Sequence, residues 1–396
     1  MSSPPERSGG PLIPSVGISG SLRAHIVEEI GRHRPVPFSR YMEMCLYEPG
    51  LGYYAQPREQ FGKAGDFYTS SDVHAVFGRL LARQFEEMWR ALGSPEWIEL
   101  IELGPGRGLF ASDVLDWSAK QFPEFARALR YVLVERSEHL RSRLTARLAE
   151  HMEAGRARVC DSFDEVASGE DALILFANEF FDALPVEIVD HHGSVRVAEE
   201  QGRFIEQFVA PSTEELDYID RYSVHPEAGE RVEVSLASLQ WMDHIAQLFR
   251  DRRGFAMFLD YGYTREEQLA GRHRDTLMTY RAHRAGASPY DAPGEQDITA
   301  HVNFTALRSR AAEAGLNEVA LLTQTQLLLG IGEETQFADA FQDCQLPQER
   351  AKVALQLRHL LSPEEMGEKF HALLLSRGIG REDAMRLSAV KMLAGR

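Results

Sequence analysis

Cysteine is scarce: only Cys45, Cys160 and Cys344 occur in 396 residues, far apart and without a CxxC spacing. That spacing argues against a disulfide framework or a thiolate zinc site and favours a reducing compartment. No apolar run approaches the ~18 residues of a membrane-spanning helix. The first twenty residues, rich in Ser, Pro and Gly, lack the apolar stretch of a signal peptide and are not an Arg-rich, acid-poor transit peptide. They read as a disordered leader, and the expected location is cytoplasmic. The histidines are scattered with no HExxH or other metal-ligand spacing, so no metal is expected. Neither a GxSxG elbow nor a Walker motif is present. Basic residues are outnumbered, 43 Lys and Arg against 60 Asp and Glu, a formal charge of -17. Binding to nucleic-acid backbones is disfavoured by that balance, and a cationic partner is allowed by it.

The chain does have an apolar fraction of 44%, enough for the core of an ordinary globular protein. After the leader, residues 21–33 and 38–46 have the apolar spacing of short helices, and helical periodicity returns over 72–92. From there the pattern alternates. Strands are expected at 97–103, 131–134, 157–160 and 172–177, separated by helices near 109–120 and 137–150. The fourth strand, Ala172-Leu-Ile-Leu-Phe-Ala177, is nearly all apolar, as in a strand covered on both faces. This alternation predicts an α/β fold, a Rossmann-like parallel sheet with helices on both faces. The rhythm breaks between 185 and 253, where short strands and the turns Gly193-Ser194 and Gly202 suggest a β-rich insertion after the fourth strand. A strand at 254–259 resumes the sheet, a loop-rich stretch covers 280–297, and a last strand is expected near 318–322 before a helical end. The expected units are a leader (1–20), an N-terminal helical segment (21–92), the first part of the α/β core (93–184), the insertion (185–253), and core completion with a C-terminal helical region (254–396).

Chemistry concentrates at strand ends. Glu102-Leu-Gly104-Pro-Gly106-Arg-Gly108 follows an apolar strand and opens a helix. Gly104 and Gly106 let the backbone turn tightly and approach a ligand, and the helix start offers free N–H groups to a carboxylate. A dinucleotide fingerprint needs glycine at 109, where Leu109 stands, which weakens a dehydrogenase reading. Glu135, ending the second strand, is placed to accept ribose hydroxyls; the plainer account is a loop acid paired with Arg136 or Arg141. Asp161 and Ser162 follow the third strand, where an acid can accept from an adenine amino group. Asn178-Glu179-Phe180-Phe181-Asp182-Ala183-Leu184-Pro185 follows the fourth. Its carboxylates face the ligand crevice of an open sheet, unless Asp182 caps a short helix and the phenylalanines are core. Gly65-Asp66-Phe67-Tyr68-Thr-Ser-Ser71 precedes the long helix, which Ser71 or Asp72 can cap.

Together these stretches resemble the MidA-type class I methyltransferases, which include a mitochondrial complex I assembly factor that methylates an arginine. The matching segments are 37–54, GDFYTSSDVHAVFG (65–78), ELGPGRG (102–108), NEFFDALPVE (178–187), FLDYG (258–262) and MGEKFHALL (366–374). The resemblance implies a seven-stranded core with an insertion after the fourth strand, S-adenosyl-L-methionine as the cofactor, and no metal. It implies Gly104, Gly106, Glu135 and Asp161 against the cofactor, and Gly65, Asp66, Phe67, Glu179 and Asp182 at the methyl-transfer crevice. Joined to the reading of the strand ends, this gives Glu102, Gly104, Gly106, Gly108, Glu135, Asp161, Ser162, Asn178, Gly65 and Phe67 as the expected cofactor residues and Glu179, Asp182 and Asp66 as the expected catalytic carboxylates. Asn178 stands where some relatives have histidine, and Tyr68 where some have threonine. The implied partner is a protein bearing an arginine acceptor, a respiratory complex subunit among the candidates. A small-molecule methyltransferase and a non-catalytic assembly scaffold are the competing readings.

Overall fold

The computed structural model describes residues 21–33, 35–57, 75–166, 172–281, 284–286 and 288–394. The leader and Gly65, Asp66, Phe67 and Tyr68 therefore lie outside the described residues.

Seven strands build the central sheet: β1 Ile98–Leu103, β2 Leu129–Val134, β3 Ala157–Cys160, β4 Ala172–Asn178, β5 Gly254–Tyr263, β6 Asn317–Thr323 and β7 Phe370–Arg377. Their spatial order is β6-β7-β5-β4-β1-β2-β3, with a two-residue strand, Val302–Asn303, paired beside the end of β5. β1 to β5 run parallel, whereas β7 is antiparallel to both β5 and β6. The strand order reverses between β1 and β4, and open α/β sheets bind ligands beyond the carboxyl ends of strands at such a switch point.

The apolar run of β4 explains its central place. Ile174 and Phe176 face one core with Ala172, and Leu173, Leu175 and Ala177 face the other. Helices cover both faces. On the first lie α1 (Ala75–Ala91), α2 (Leu109–Gln121) and, near the end of the chain, Pro347–Leu361. α1 buries Val76, Phe77, Leu80, Leu81, Phe85 and Met88, an i, i+4 stripe, and its neighbour α2 brings Phe110 flat against Phe176 with ring centroids 4.6 Å apart. On the second face lie α3 (Leu236–Leu248) and α4 (Phe304–Glu313).

Between β4 and β5 the chain forms an antiparallel sheet of Glu187–Asp190, Gly193–Glu200, Arg203–Val209 and Arg231–Val234. Val36–Pro37 from the N-terminal segment adds to its edge. The helix Phe38–Tyr47 packs beneath, so Phe38, Tyr41 and Met42 share a core with Val186, Ile188, Val195 and Val197.

Two expectations need correction. The stretch expected as loop over 280–297 contributes to a small antiparallel sheet, Met278–Arg281 with Arg284–Ala285 and Asp297–Thr299. The strand near 318–322 is also not the last, because β7 inserts between β5 and β6 from a region expected to be helical. A short apolar run such as Phe370-His-Ala-Leu-Leu-Leu is compatible with a buried strand or a helix by periodicity alone.

Candidate active site

A cavity of about 2480 Å³ opens at the carboxyl ends of β1 to β5. Glu102, Gly104, Gly106, Glu135, Asp161, Ser162, Asn178, Glu179 and Asp182 all line it. Every described site candidate except Gly108 is thus brought together there.

The glycine turn works through backbone geometry. Gly104, Gly106 and Gly108 have φ of 64°, 52° and 70°, in the left-handed region that side chains disfavour. Gly104 donates its N–H to Val134 at 3.1 Å, tying β1 to β2, and a Cβ there would stand 3.2 Å from the Phe180 ring. Gly108 begins α2 and is not a lining residue; a Cβ there would lie 2.5 Å from Leu144 Cδ2. It serves close packing against the helix Glu138–Arg147.

Two buried acids flank the turn. Glu102 is 4% exposed and accepts the Tyr131 hydroxyl at 2.8 Å; burial pushes its carboxyl up to about 8. Glu135 accepts the Ser137 N–H at 2.8 Å, and burial pushes it up to about 7. Glu135 is a buried residue of the cavity lining and not an exposed loop acid, although Arg141, which donates to its backbone carbonyl at 3.0 Å, also acts on its carboxyl through its charge. Both acids are primed to gain from a ligand that donates hydrogen bonds or brings positive charge. Asp161 is exposed, and Ser162 accepts the Asp164 N–H at 3.1 Å as the cap of a short 3-10 turn. Beside them Phe163 and Phe180 each contact Trp241 edge-on, at 5.5 and 5.0 Å, giving an aromatic wall suited to a flat base.

The segment after β4 is held by a residue whose role the sequence did not show. Asp260, near the carboxyl end of β5, accepts the N–H of Phe180, Phe181 and Asp182 on one oxygen, at 3.2, 3.0 and 3.3 Å. Burial, then the charges of Asp182 and Glu179, push its carboxyl upward against these N–H groups. Glu179 adopts φ of 51°, an uncommon conformation for a non-glycine residue, with its carboxylate accepting the Asn178 amide at 3.1 Å. Asp182 is buried, accepts the Tyr261 hydroxyl at 2.6 Å and is pushed up by burial to about 6. Among the described residues its other oxygen has no hydrogen-bond partner, and neither has Asn178 Oδ1. Phe181 is core, whereas Phe180 is half-buried and lines the cavity. Asp182 is not a helix cap.

The glycine cradle, the acids at the ends of β1 and β2, the aromatic wall and the orphaned Asn178 oxygen fit an amino-acid–ribose–adenine ligand, which is the chemical outline of S-adenosylmethionine. A family model for S-adenosyl-L-methionine-dependent methyltransferases matches residues 80–321. The chain belongs to that family. A protein from Burkholderia thailandensis, solved bound to S-adenosyl-homocysteine, is 30% identical, with 92% of this chain and 94% of that one covered and a TM-score of 0.77. The mitochondrial protein arginine methyltransferase NDUFAF7 of Danio rerio is 28% identical over 96% of this chain and 93% of its own length. The Drosophila melanogaster homologue of that enzyme, also named mitochondrial, is 28% identical over 91% of this chain and 86% of its own length. The methyltransferase is an enzyme that uses S-adenosylmethionine, built on the class I fold.

Those relatives overturn the cytoplasmic expectation, since they are named mitochondrial. Scattered cysteines and a leader without an apolar run report on redox state and membrane spanning, and they do not distinguish one reducing compartment from another. Among the described residues no helix is long and apolar enough to cross a membrane. Asp190, His191 and His192 place three donor atoms within 4.8 Å of one another in a hairpin turn of the insertion, and none of them lines the cavity.

Proposed function

We propose that this methyltransferase transfers the methyl group of S-adenosylmethionine to the guanidino group of an arginine in a protein partner. The observation that carries the reading is Asp182: a buried carboxylate with one oxygen unpartnered among the described residues, in the same cavity as the glycine turn and Glu179. The Danio rerio and Drosophila relatives carry protein arginine methyltransferase in their names, which supports the acceptor class. A respiratory complex subunit is the partner that the family resemblance favours, and the protein's acidic balance suits a basic segment.

The bound cofactor supplies an already activated methyl group on a sulfonium. In this reading Glu102 pairs with the cofactor's ammonium group, the N–H groups of the glycine turn hold its carboxylate, Glu135 takes the ribose hydroxyls, and Asp161 and Ser162 lie along the base. Asn178 presents its free carbonyl oxygen to the same ligand. Arginine is a poor nucleophile because its guanidinium is always charged. Glu179 and Asp182 would hold two of its nitrogens and localise charge away from the attacked one, while the buried setting excludes water. Asp66 stays a candidate third acid.

Incubating the protein and labelled S-adenosylmethionine with lysate from cells lacking it, followed by acid hydrolysis and amino-acid analysis, tests the reading. Label in methylated arginine is the expected result. Label confined to lysine, carboxyl esters or small molecules would remove it.

A further inference from the structure

Asp260 grips the backbone of the segment after β4, and the next residue of the same strand grips a side chain there. Tyr261 donates its hydroxyl to Asp182 Oδ2 at 2.6 Å, across 79 residues of chain. Both residues line the cavity. Tyr261 is itself firmly placed. It pairs with Phe370 in the register of β5 and β7, and it donates its N–H to Asp260 Oδ1 at 3.0 Å. Its ring stands edge-on to Phe370 at 5.6 Å and to His301 at 5.2 Å. Asp182, by contrast, lies in a turn past the end of β4, so its carboxylate takes its direction from what it bonds.

Asp182 is 6% exposed, and burial pushes its carboxyl up to about 6. The largest effect in the other direction is the Tyr261 hydrogen bond, ahead of the N–H groups of Ala183 and of Asp182 itself. The other titratable groups around Asp182 do not take over that role. Asp260 from β5 and Glu179 from the same turn are acids. Tyr47 donates instead to the Ala183 carbonyl at 2.9 Å, Tyr54 donates to Asp297 at 3.0 Å, and Tyr280 interacts with Asp182 through charge. Tyr261 also keeps its own proton, because burial and then the charges of Asp182 and Asp260 hold its hydroxyl above the usual tyrosine range. It therefore stays a donor at every pH at which Asp182 ionises.

We propose that Tyr261 is the positioning residue of Asp182: by donating to Oδ2 it holds the carboxylate in one orientation, as a group that only accepts hydrogen bonds. A guanidinium has donors alone, so it needs an acceptor-only partner, whereas a protonated Asp182 would bring a competing O–H donor. Orientation matters as much, since a misplacement of about 1 Å in a positioning clamp can cost on the order of 10²-fold in rate. Asp260 and Tyr261, consecutive on β5, thus divide the task, one fixing the backbone of the turn and the other its carboxylate. This inference rests on the arginine reading above and extends it to a residue that acts through Asp182 rather than on the acceptor.

The test compares the full chain with Tyr261→Phe, which keeps the ring and removes the donor. Carboxyl 13C NMR of protein labelled at aspartate Cγ follows Asp182, whose signal is identified by its loss in Asp182→Asn. The Asp182 titration midpoint is expected to rise by about one pH unit or more in Tyr261→Phe, while the affinity for S-adenosylhomocysteine stays within about twofold of the parent by calorimetry. Methyl transfer to protein of the lysate used above gives a second readout. The ratio of variant to parent rate should rise about fivefold between pH 6 and pH 9, as the raised carboxyl ionises. A midpoint that does not move, or a rate ratio flat with pH, would make the Tyr261 hydroxyl a structural tie and overturn the proposal. The arginine reading fails separately, on the product analysis with the parent protein, because the carboxyl titration is read without any acceptor.

Discussion

Asp260 accepts the backbone N–H of Phe181 at 3.0 Å, across 79 residues of chain. The same oxygen takes the N–H of Phe180 and Asp182, so one side chain from β5 fixes the backbone of the segment that presents Glu179 and Asp182. Removing the acceptor strands three N–H groups, two of them buried. Asp260→Ala is expected to cost about 3 kcal/mol or more in urea unfolding, from the range of roughly 1–3 kcal/mol per buried group left unpaired. Asp260→Asn keeps one oxygen facing the three donors and should recover most of that loss. Equal stability of the two variants would show that the segment holds its shape without Asp260.

Glu102 gives the ligand-free protein a pH-dependent stability. Its folded carboxyl stands at about 8, against an ordinary value of 4.5. Between those values the folded state keeps a proton that the unfolded chain has released, so stability falls as pH rises through this window. The slope from this one group is up to about 1.4 kcal/mol per pH unit. Glu102→Gln keeps an oxygen for the Tyr131 hydroxyl and removes the titration. Unfolding free energies at pH 6, 7 and 8 should decline less steeply in the variant than in the parent. Parallel declines would place the effect elsewhere.

Glu135 has the complementary signature in binding. Its carboxyl is pushed up to about 7, and ribose hydroxyls are better accepted by its ionised form. Adenosine, which carries the ribose without an amino-acid end, should therefore bind more weakly at pH 6 than at pH 8. The expected loss is up to about tenfold per unit below pH 7. In Glu135→Gln the affinity should be low and flat with pH, by calorimetry in matched buffers. A pH dependence that survives in the variant would reject Glu135 as the ribose acceptor.

The three glycines of the turn should separate by function. Gly108→Ala forces a Cβ to within 2.5 Å of Leu144 Cδ2 at φ of 70°, so it should lower stability by about 1–3 kcal/mol. Its affinity for S-adenosylmethionine should stay close to the parent's, because Gly108 does not line the cavity. Gly106→Val, on the lining, should abolish that affinity while thermal unfolding remains cooperative. Cofactor loss in Gly108→Ala without loss of stability would reverse the assignment.

The parts of the site that lie close together in sequence were legible without the fold. ELGPGRG is one strand-turn-helix unit, and Glu135, Asp161 and Asn178 each sit at or just past the end of an apolar strand, where alternation with helices already implies a common edge. The position of β7 was not legible, because an apolar run of that length reads equally as buried helix or strand, and only pairing with β5 and β6 decides it. Trp241 likewise showed nothing in its local pattern beyond a place on a helix, yet α3 brings it against Phe180.

The sequence by itself determined the parallel sheet, the insertion and the glycine turn, since each depends on short-range periodicity and on residues adjacent along the chain. The contact of Asp260 with the segment after β4 and that of Tyr54 with Asp297 were decided by tertiary structure alone. Tyr54 and Asp297 are 243 residues apart, and neither carries a local motif that names the other. Their meeting depends on the N-terminal helix Phe38–Tyr47 packing under the insertion sheet and on Asp297–Thr299 folding beside the Asp182 turn. A contact between segments so distant leaves no period in the sequence, because what fixes it is the shared burial of both segments against a third.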